Sequence, residues 1–428
     1  MENSPVPLTI ERPVAGGEML ARHEGRVVLV RGAIPGERVM AQIVRQARGV
    51  AWADVREILE PSPDRRPAPA DAACGGAYFA HVSPPRQRTL KAEIIADALR
   101  RIGKHRLAEP PRVAGSEERG YRLRARLHVR DRQIGFFREG SHTLCDAGPT
   151  GQLREDSLVA VRAVVAALGR RADDCDALTL AEDIAARSRV VHLEPRPGAT
   201  LEDLGGQSLI VDGVSGATAS AGQRAFTLAG SPIVADTAFD LFAGDSPIGA
   251  GVRWVRHAPS FFQVNRFLAG DLLRHVLSVA EGAVVADLYS GVGLFAVALG
   301  ARGCRVLAVE GDASSGGDLA VNAQPFADRI DVVRSSVESA LTRVPPSGLD
   351  AVVVDPPRTG LTADALRGVV AWRPRRLVYV SCDPPTLARD AAVLFGAGYG
   401  LHGIEAFDFF PNTPHVEAVA VFDASTAR

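Results

Sequence analysis

Between residues 283 and 381, five short apolar runs alternate with stretches of helical character, and no other feature restricts the fold as much. The runs are Ala283–Ser290, Arg305–Glu310, Ile330–Ser335, Leu349–Asp355 and Leu377–Ser381. Runs so short and so continuous in Val, Leu and Ala read as strands buried on both faces. Repeated strand–helix units build a parallel, doubly wound sheet, with ligands at the carboxyl ends of its strands. His402–Phe410 and Val416–Asp423 read as a closing antiparallel pair. The expected fold of residues 255–428 is therefore an α/β Rossmann-like domain.

The chemistry-bearing residues fall at those carboxyl ends. Asp287-Leu288-Tyr289-Ser290-Gly291-Val292-Gly293 is a glycine-rich turn from strand to helix, where a ligand can approach the backbone closely. Glu310 closes the second run and is placed to accept hydrogen bonds from ribose hydroxyls. A nicotinamide-binding turn would read G-x-G-x-x-G, but Ala296 stands at the last position. Asp355-Pro356-Pro357-Arg358 follows the fourth run, and Cys382 follows the fifth. Pro384-Pro385 ends that strand and opens a helix. A thiol near a helix amino end is expected to have its thiolate favoured. On position alone a small buried hydrophobe is the commoner reading of a lone cysteine such as Cys382, and the neighbouring motifs reverse that.

The amino-terminal part is organised differently. Val6–Ile10, Arg26–Arg31, Arg38–Arg45 and Ala51–Ile58 are strand-like runs punctuated by glycines, which predicts a small β-barrel over residues 1–62. Arg22, Arg26, Arg31, Arg45 and Arg48 are its candidate phosphate contacts. The proline-rich stretch 61–70 reads as a linker. A mixed α+β segment, 75–250, is expected to complete a nucleic-acid cleft. In it, Arg86–Lys104 has helical periodicity, Ser157–Gly169 reads as an amphipathic helix, and Arg189–Glu194 and Ser208–Gly213 read as strands. From Arg122 to Arg132 the even positions are Arg or His and the odd positions Leu, Ala or Val until Asp131. This predicts a strand with one basic face. Residues 86–138 hold 15 Lys/Arg against 6 Asp/Glu in a chain whose formal net charge is −1. Phosphate backbone is the natural counterpart of such a concentration, and pairing with acidic neighbours is the alternative.

Five cysteines (Cys74, Cys145, Cys175, Cys304, Cys382) show no paired spacing. With no signal-like start and no apolar run of membrane-spanning length, the reading is a reduced, cytoplasmic protein with no membrane association. A monomer is expected.

Four motifs share a pattern: D-L-Y-S-G-V-G-L-F, D-P-P-R-T-G, Y-V-S-C-D-P-P-T-L-A-R-D and F-P-N-T-P-H-V-E. With Phe261-Phe262-Gln263-Val264-Asn265, they resemble the RNA (uracil-5-)methyltransferase family. The start, "AGGEMLARHEGRVVLVRGAIPGERV", resembles the TRAM domain, an OB-like RNA-binding barrel. The resemblance implies an S-adenosylmethionine-dependent enzyme that methylates carbon 5 of a uridine in RNA. Ribosomal RNA is the preferred substrate and transfer RNA the alternative; a cytosine-5 methyltransferase and a non-catalytic RNA-binding relic are the competing readings. It implies Cys382 as nucleophile, Glu417 as proton acceptor, and Gln263, Tyr289, Glu310 and Asp355 as cofactor contacts. Leu294, Ser336 and Asp383 depart from its pattern. Many members carry an iron–sulfur cluster on C-x5-C-G-G-C plus a later cysteine. Here Ala68 and Ala77 replace two of these positions, and the later one aligns on Thr150, so no iron–sulfur cluster and no other metal is expected.

Overall fold

The computed structural model describes residues 4–68, 71, 73–201, 209, 211–222 and 224–425. The first five strands are β1 (Val6–Pro13), β2 (Met19–His23), β3 (Arg26–Arg31), β4 (Arg38–Ala47) and β5 (Val50–Glu60). They close into a barrel in the order β1-β2-β3-β5-β4. Alternation puts Leu8, Ile10, Val28, Val30, Val39 and Ala53 inside. The sequence reading lacked β2, a five-residue run that contains Arg22 and His23. The proline-rich linker does not swing free: Arg65 donates to the buried Glu37 carboxylate at 2.6 and 2.7 Å.

Helix α1 (Pro84–Arg101) follows, and then the two-residue strand β6 (Val113–Ala114). The central sheet comprises β7 (Arg124–Arg130), β8 (Gln133–Phe137), β9 (Leu144–Cys145), β10 (Cys175–Glu182), β11 (Arg189–Pro195), β12 (Gly216–Ala221) and β13 (Arg224–Gly230). Their order is β13-β12-β11-β10-β7-β8-β9, and α2 (Glu155–Leu168) supplies Leu158, Val161, Val164 and Val165 to the core against it. In the expected strand 208–213, positions 208 and 210 lie outside the described residues, and Leu209 and Val211–Gly213 form no strand. An antiparallel pair, β14 (Ile233–Thr237) and β15 (Arg253–His257), flanks the short helix α3 (Ala238–Leu241).

The carboxyl-terminal half begins with α4 (Ala269–Val279). It continues through β16 (Val284–Leu288), α5 (Leu294–Ala301), β17 (Arg305–Glu310), α6 (Ala313–Ala323), β18 (Ile330–Arg334), α7 (Val337–Leu341) and β19 (Ala351–Val354). It ends with α8 (Ala363–Trp372), β20 (Arg376–Ser381), α9 (Pro384–Gly396), β21 (Tyr399–Phe407) and β22 (Glu417–Ala424). The sheet order is β18-β17-β16-β19-β20-β22-β21-β6. β16 to β20 are parallel, and β22 runs antiparallel to both neighbours. Strand order reverses at β16, the switch point at which open sheets bind ligands. One face packs on α4, α5 and α6 through Leu272, Val276, Phe295 and Leu319. The other packs on α1, α7, α8 and α9 through Ile95, Leu99, Val337, Leu366, Leu387 and Leu394. Helix α1, which the sequence assigns to the central segment, thus packs on the carboxyl-terminal sheet, and Leu90 near its start joins the barrel core. None of the helices is long and apolar enough to cross a membrane, among the described residues.

The expectation of five unpaired thiols is corrected, because Cys74 and Cys145 form a disulfide across 71 residues of sequence. Spacing carried no hint of it, since folding of the central sheet makes the pair. Asp71, Cys74 and Cys145 offer three ligand atoms within 4.8 Å of one another. Two of these are joined to each other, and Ala68 and Ala77 offer none. A [4Fe–4S] cluster takes four thiolates, so this donor set does not fit one.

Candidate active site

The site lies at the carboxyl ends of β16, β17, β19 and β20. After β16 the chain turns within a few residues, and Tyr289 and Gly293 have φ of 62° and 89°. Position 293 favours glycine, because side chains rarely adopt its φ and a Cβ there would meet Leu319 Cδ1 at 2.6 Å. Glu310 fastens the turn by accepting from Gly291 N at 2.8 Å and Asp312 N at 2.6 Å. Burial raises the Glu310 carboxyl above its ordinary range, and these amides oppose the rise. Asp287 lies beneath, fully buried. It accepts from Ala296 N at 2.9 Å, while its Oδ1 has no partner among the described residues. Burial and the nearby Asp355 push its carboxyl up to about 8.

Gln263 donates through Nε2 to Asp355 Oδ2 at 3.2 Å, bridging the pre-α4 segment to the end of β19. One cavity is lined by Phe261, Gln263, Tyr289, Gly291, Leu294 and Asp355. Three of the four candidate cofactor contacts thus share a wall, and the fourth, Glu310, reaches it through Gly291. The residues fit S-adenosylmethionine: a carboxylate beside the glycine turn, a strand-end acid for ribose hydroxyls, and an apolar lining. Leu294 presents an apolar wall where a polar contact stands in the family pattern. Ser336 caps α7, its Oγ accepting from Ser339 N at 3.2 Å.

Cys382 and Glu417 come together through strand register. Ser381 pairs with Ala418 across the antiparallel β20–β22 ladder, so the next residue on one strand lies beside the previous residue on the other. Glu417 is 5% exposed. Burial, then the neighbouring Asp355, raises its carboxyl well above the ordinary range, and Arg358 opposes them. Burial pushes the Cys382 thiol up to about 12, Glu417 adds to the rise, and Arg358 again opposes it.

That direction corrects the expectation of a favoured thiolate. Pro384 and Pro385 occupy the first turn of α9, and Asp383 caps it by accepting from Thr386 N at 2.9 Å. Two prolines contribute no N–H, and a carboxylate already holds the next donor. The helix end therefore has little positive charge left for sulfur, and Arg358 is the cation that offsets the local acids. His415, which the sequence leaves without a catalytic role, is pushed down to about 4 by burial and by Arg358.

The basic strand face is also corrected. Arg126 pairs with Glu194 and Asp176, Arg130 with Asp176, Arg132 with Asp173 and Arg138 with Asp71, at 2.7 to 3.3 Å. Arg122 and Arg124 point their guanidiniums at neutral acceptors, the Gln152 side chain and the carbonyls of Ala258 and Pro259. Pairing with acidic neighbours accounts for most of that face. Sequence reading overlooked Gln87 and Lys91, which hold the chain just before Glu417. They lie in line with Ile94, Ile95 and Ala98 on the buried side of α1, and two polar residues in an apolar stripe were the available signal.

The doubly wound sheet, its glycine turn and its strand-end acids define an S-adenosylmethionine-dependent methyltransferase fitted with an amino-terminal barrel. The tRNA (Uracil-5-)-methyltransferase family model matches residues 250–424, and the TRAM domain matches residues 1–55. An RNA methyltransferase of Streptomyces avermitilis is 33% identical, with 96% of each chain covered. The 23S rRNA (uracil(1939)-C(5))-methyltransferase RlmD of Pseudomonas entomophila is 31% identical over 97% of this chain and 93% of its own length. The solved Pyrococcus abyssi tRNA (uracil-54, C5)-methyltransferase, in complex with S-adenosyl-L-homocysteine, has the same fold. It has a TM-score of 0.75 and 23% identity, covering 97% of this chain and 99% of that one. The chain belongs to the RNA (uracil-5-)methyltransferase family and is an S-adenosylmethionine-dependent enzyme acting on RNA uracil carbon 5.

Proposed function

We propose that this enzyme methylates a uridine of ribosomal RNA in the cytoplasm, as a monomer, through a transient bond between Cys382 and the pyrimidine ring. The observation that carries the reading is the β20–β22 register, which sets Cys382 beside Glu417 at the ligand end of the sheet. Carbon 5 of uracil is too weak a nucleophile to take a methyl group unaided. Ionised Cys382 adds to carbon 6, forming the C–S bond and shifting the ring's electron pair toward carbon 5 as an enolate. S-adenosylmethionine supplies an electrophilic methyl sulfonium, and S-adenosylhomocysteine leaves when carbon 5 takes the methyl group. Glu417 then accepts the proton on carbon 5, the C–S bond breaks, and the thiolate returns. Gln263, Tyr289, Glu310 and Asp355 hold the donor, and Asp355 is close enough to Glu417 and Cys382 for its charge to raise both. The base must leave its stack to enter such a site.

The ribosomal preference rests on the full-length similarity to the Pseudomonas enzyme and on the barrel. The transfer-RNA reading is kept by the family model's description. Mapping 5-methyluridine in ribosomal and transfer RNA from a deletion strain decides between them. Cys382→Ala is expected to abolish turnover, and Glu417→Gln to trap a protein–RNA adduct that survives denaturing electrophoresis. Methylation by Cys382→Ala would sink the covalent route.

A further inference from the structure

Residues 408–416 connect β21 to β22, and Glu417 is the first residue beyond them. This connection carries the FPNTPH run and would be expected to float as a surface loop. Instead its polar anchors come largely from the amino-terminal hundred residues of the chain. Lys91 of α1, 0% exposed, donates to the Asp408 carboxylate and to Phe410 O at 3.0 Å. Gln87, one turn earlier and 1% exposed, makes a two-way bond with Asn412. Its Nε2 donates to Asn412 Oδ1 at 2.9 Å, and its Oε1 accepts from Asn412 N at 2.8 Å. The same Nε2 also meets Phe79 O and Val82 O. Arg66 of the linker donates to Asn412 Oδ1 at 2.7 Å, and Phe79 N to Asn412 O at 2.7 Å. Asn412 holds a φ of 65° under these bonds. At the far end, Pro414 packs so closely on the barrel that a Cβ at Gly17 would lie 2.6 Å from it.

A buried lysine is costly unless its partners are held in place. Here the partners belong to the segment leading into the proposed base. We infer that Gln87 and Lys91 are positioning residues for Glu417: α1, clamped between barrel and catalytic sheet, holds the 408–416 segment and so sets where the carboxylate meets carbon 5. The inference rests on the role proposed for Glu417. It gives the amino-terminal layer a part in the proton-transfer step.

The test uses the full-length protein with Gln87→Ala and Lys91→Met. Amide hydrogen exchange, without RNA, is expected to speed up by about tenfold or more across 408–417 and to stay unchanged in β16 and β19. With ribosomal RNA from a strain lacking the protein, kcat is expected to fall by about 10- to 100-fold, the usual consequence of a displaced catalytic group. KM for S-adenosylmethionine stays unchanged. The denaturation-resistant protein–RNA adduct should accumulate, because addition continues while deprotonation slows; a purely structural defect would lower adduct and turnover together. Unchanged exchange across 408–417, unchanged kcat, or a parallel fall in adduct and turnover overturns the inference. If Lys91→Met fails to fold, Gln87→Ala leaves no unpaired buried charge and carries the test. If Glu417→Gln traps no adduct, the covalent reading fails, and exchange in Gln87→Ala still decides whether the segment is held from α1.

Discussion

Cys382 shows how far a residue's identity and its charge state can diverge. Its place after an apolar run and before two prolines was legible, and so was its partner Glu417. The ionisation of the thiol was not legible, because burial and three neighbouring carboxylates are properties of the folded site. The thiolate is the reactive form, and a thiol pushed up to about 12 is almost wholly protonated at neutral pH. Alkylation of Cys382 by iodoacetamide, followed by mass spectrometry, should therefore rise by about tenfold per pH unit from pH 7 to 10 without levelling. Arg358→Ala should slow it further, since that guanidinium opposes the rise. A plateau near the ordinary thiol value would contradict this account. Asp355 has a related signature. Burial and the charge on Glu310 push its carboxyl up to about 7. A cationic sulfonium favours the ionised form, which is depleted below that value and restored above it. Affinity for S-adenosylmethionine measured by calorimetry should thus strengthen from pH 6 to pH 8, and Asp355→Asn should flatten the profile.

At the scale of elements, the period of the apolar residues was enough to find β16 to β20 and the closing pair, because strands buried on both faces announce themselves by composition. Elements set by tertiary pairing were not legible. β6 is two residues long, lies just after Pro110-Pro111, and exists only because Ala406 and Phe407 offer a free edge. The basic alternation of β7 was read correctly as a strand, and of the two counterparts left open for it the acidic neighbours are the ones present: Asp176 and Glu194, which come from other elements and so could not be placed from the sequence. The helix after Cys382 carries a further tie that no periodicity reveals. Tyr379 of β20 donates to Asp390 of α9 at 2.7 Å, and Asp390 also accepts from Leu361 N at 2.9 Å. Arg389 donates to Thr359 O and Leu361 O. Strand, helix and the loop after Asp355 are braced by one buried carboxylate. Tyr379→Phe is expected to cost about 1.5–3 kcal/mol, the range for a hydrogen bond to a charged group. This would appear as a lowered melting temperature with the methyltransferase fold retained by circular dichroism. An unchanged melting temperature would mean that the hydroxyl contributes nothing to the brace.

Over the whole molecule, a formal net charge of −1 means that RNA binding depends on where cations stand without a carboxylate. The central strand fails that condition at Arg126, Arg130 and Arg132. The barrel meets it in part. Arg22 lies 3.4 Å from Glu11 and Arg31 3.6 Å from Glu139, but Arg26 and Arg48 are exposed with no ion-pair partner among the described residues. The Arg45 guanidinium sits over Trp52, 3.9 Å from the ring centroid, which makes a cationic aromatic surface suited to an unpaired base. Each phosphate contact to a single strand contributes about 0.7 to the slope of log affinity against log salt. Arg26→Ala and Arg48→Ala should therefore each weaken binding to ribosomal RNA and reduce that slope by about 0.7, measured by filter binding across a salt series. Arg126→Ala combined with Glu194→Gln removes one cation and one anion that already neutralise each other, and should leave the slope unchanged. If the double replacement lowers the slope while the barrel arginines do not, the RNA backbone crosses the central sheet, and the ion pairs there open on binding.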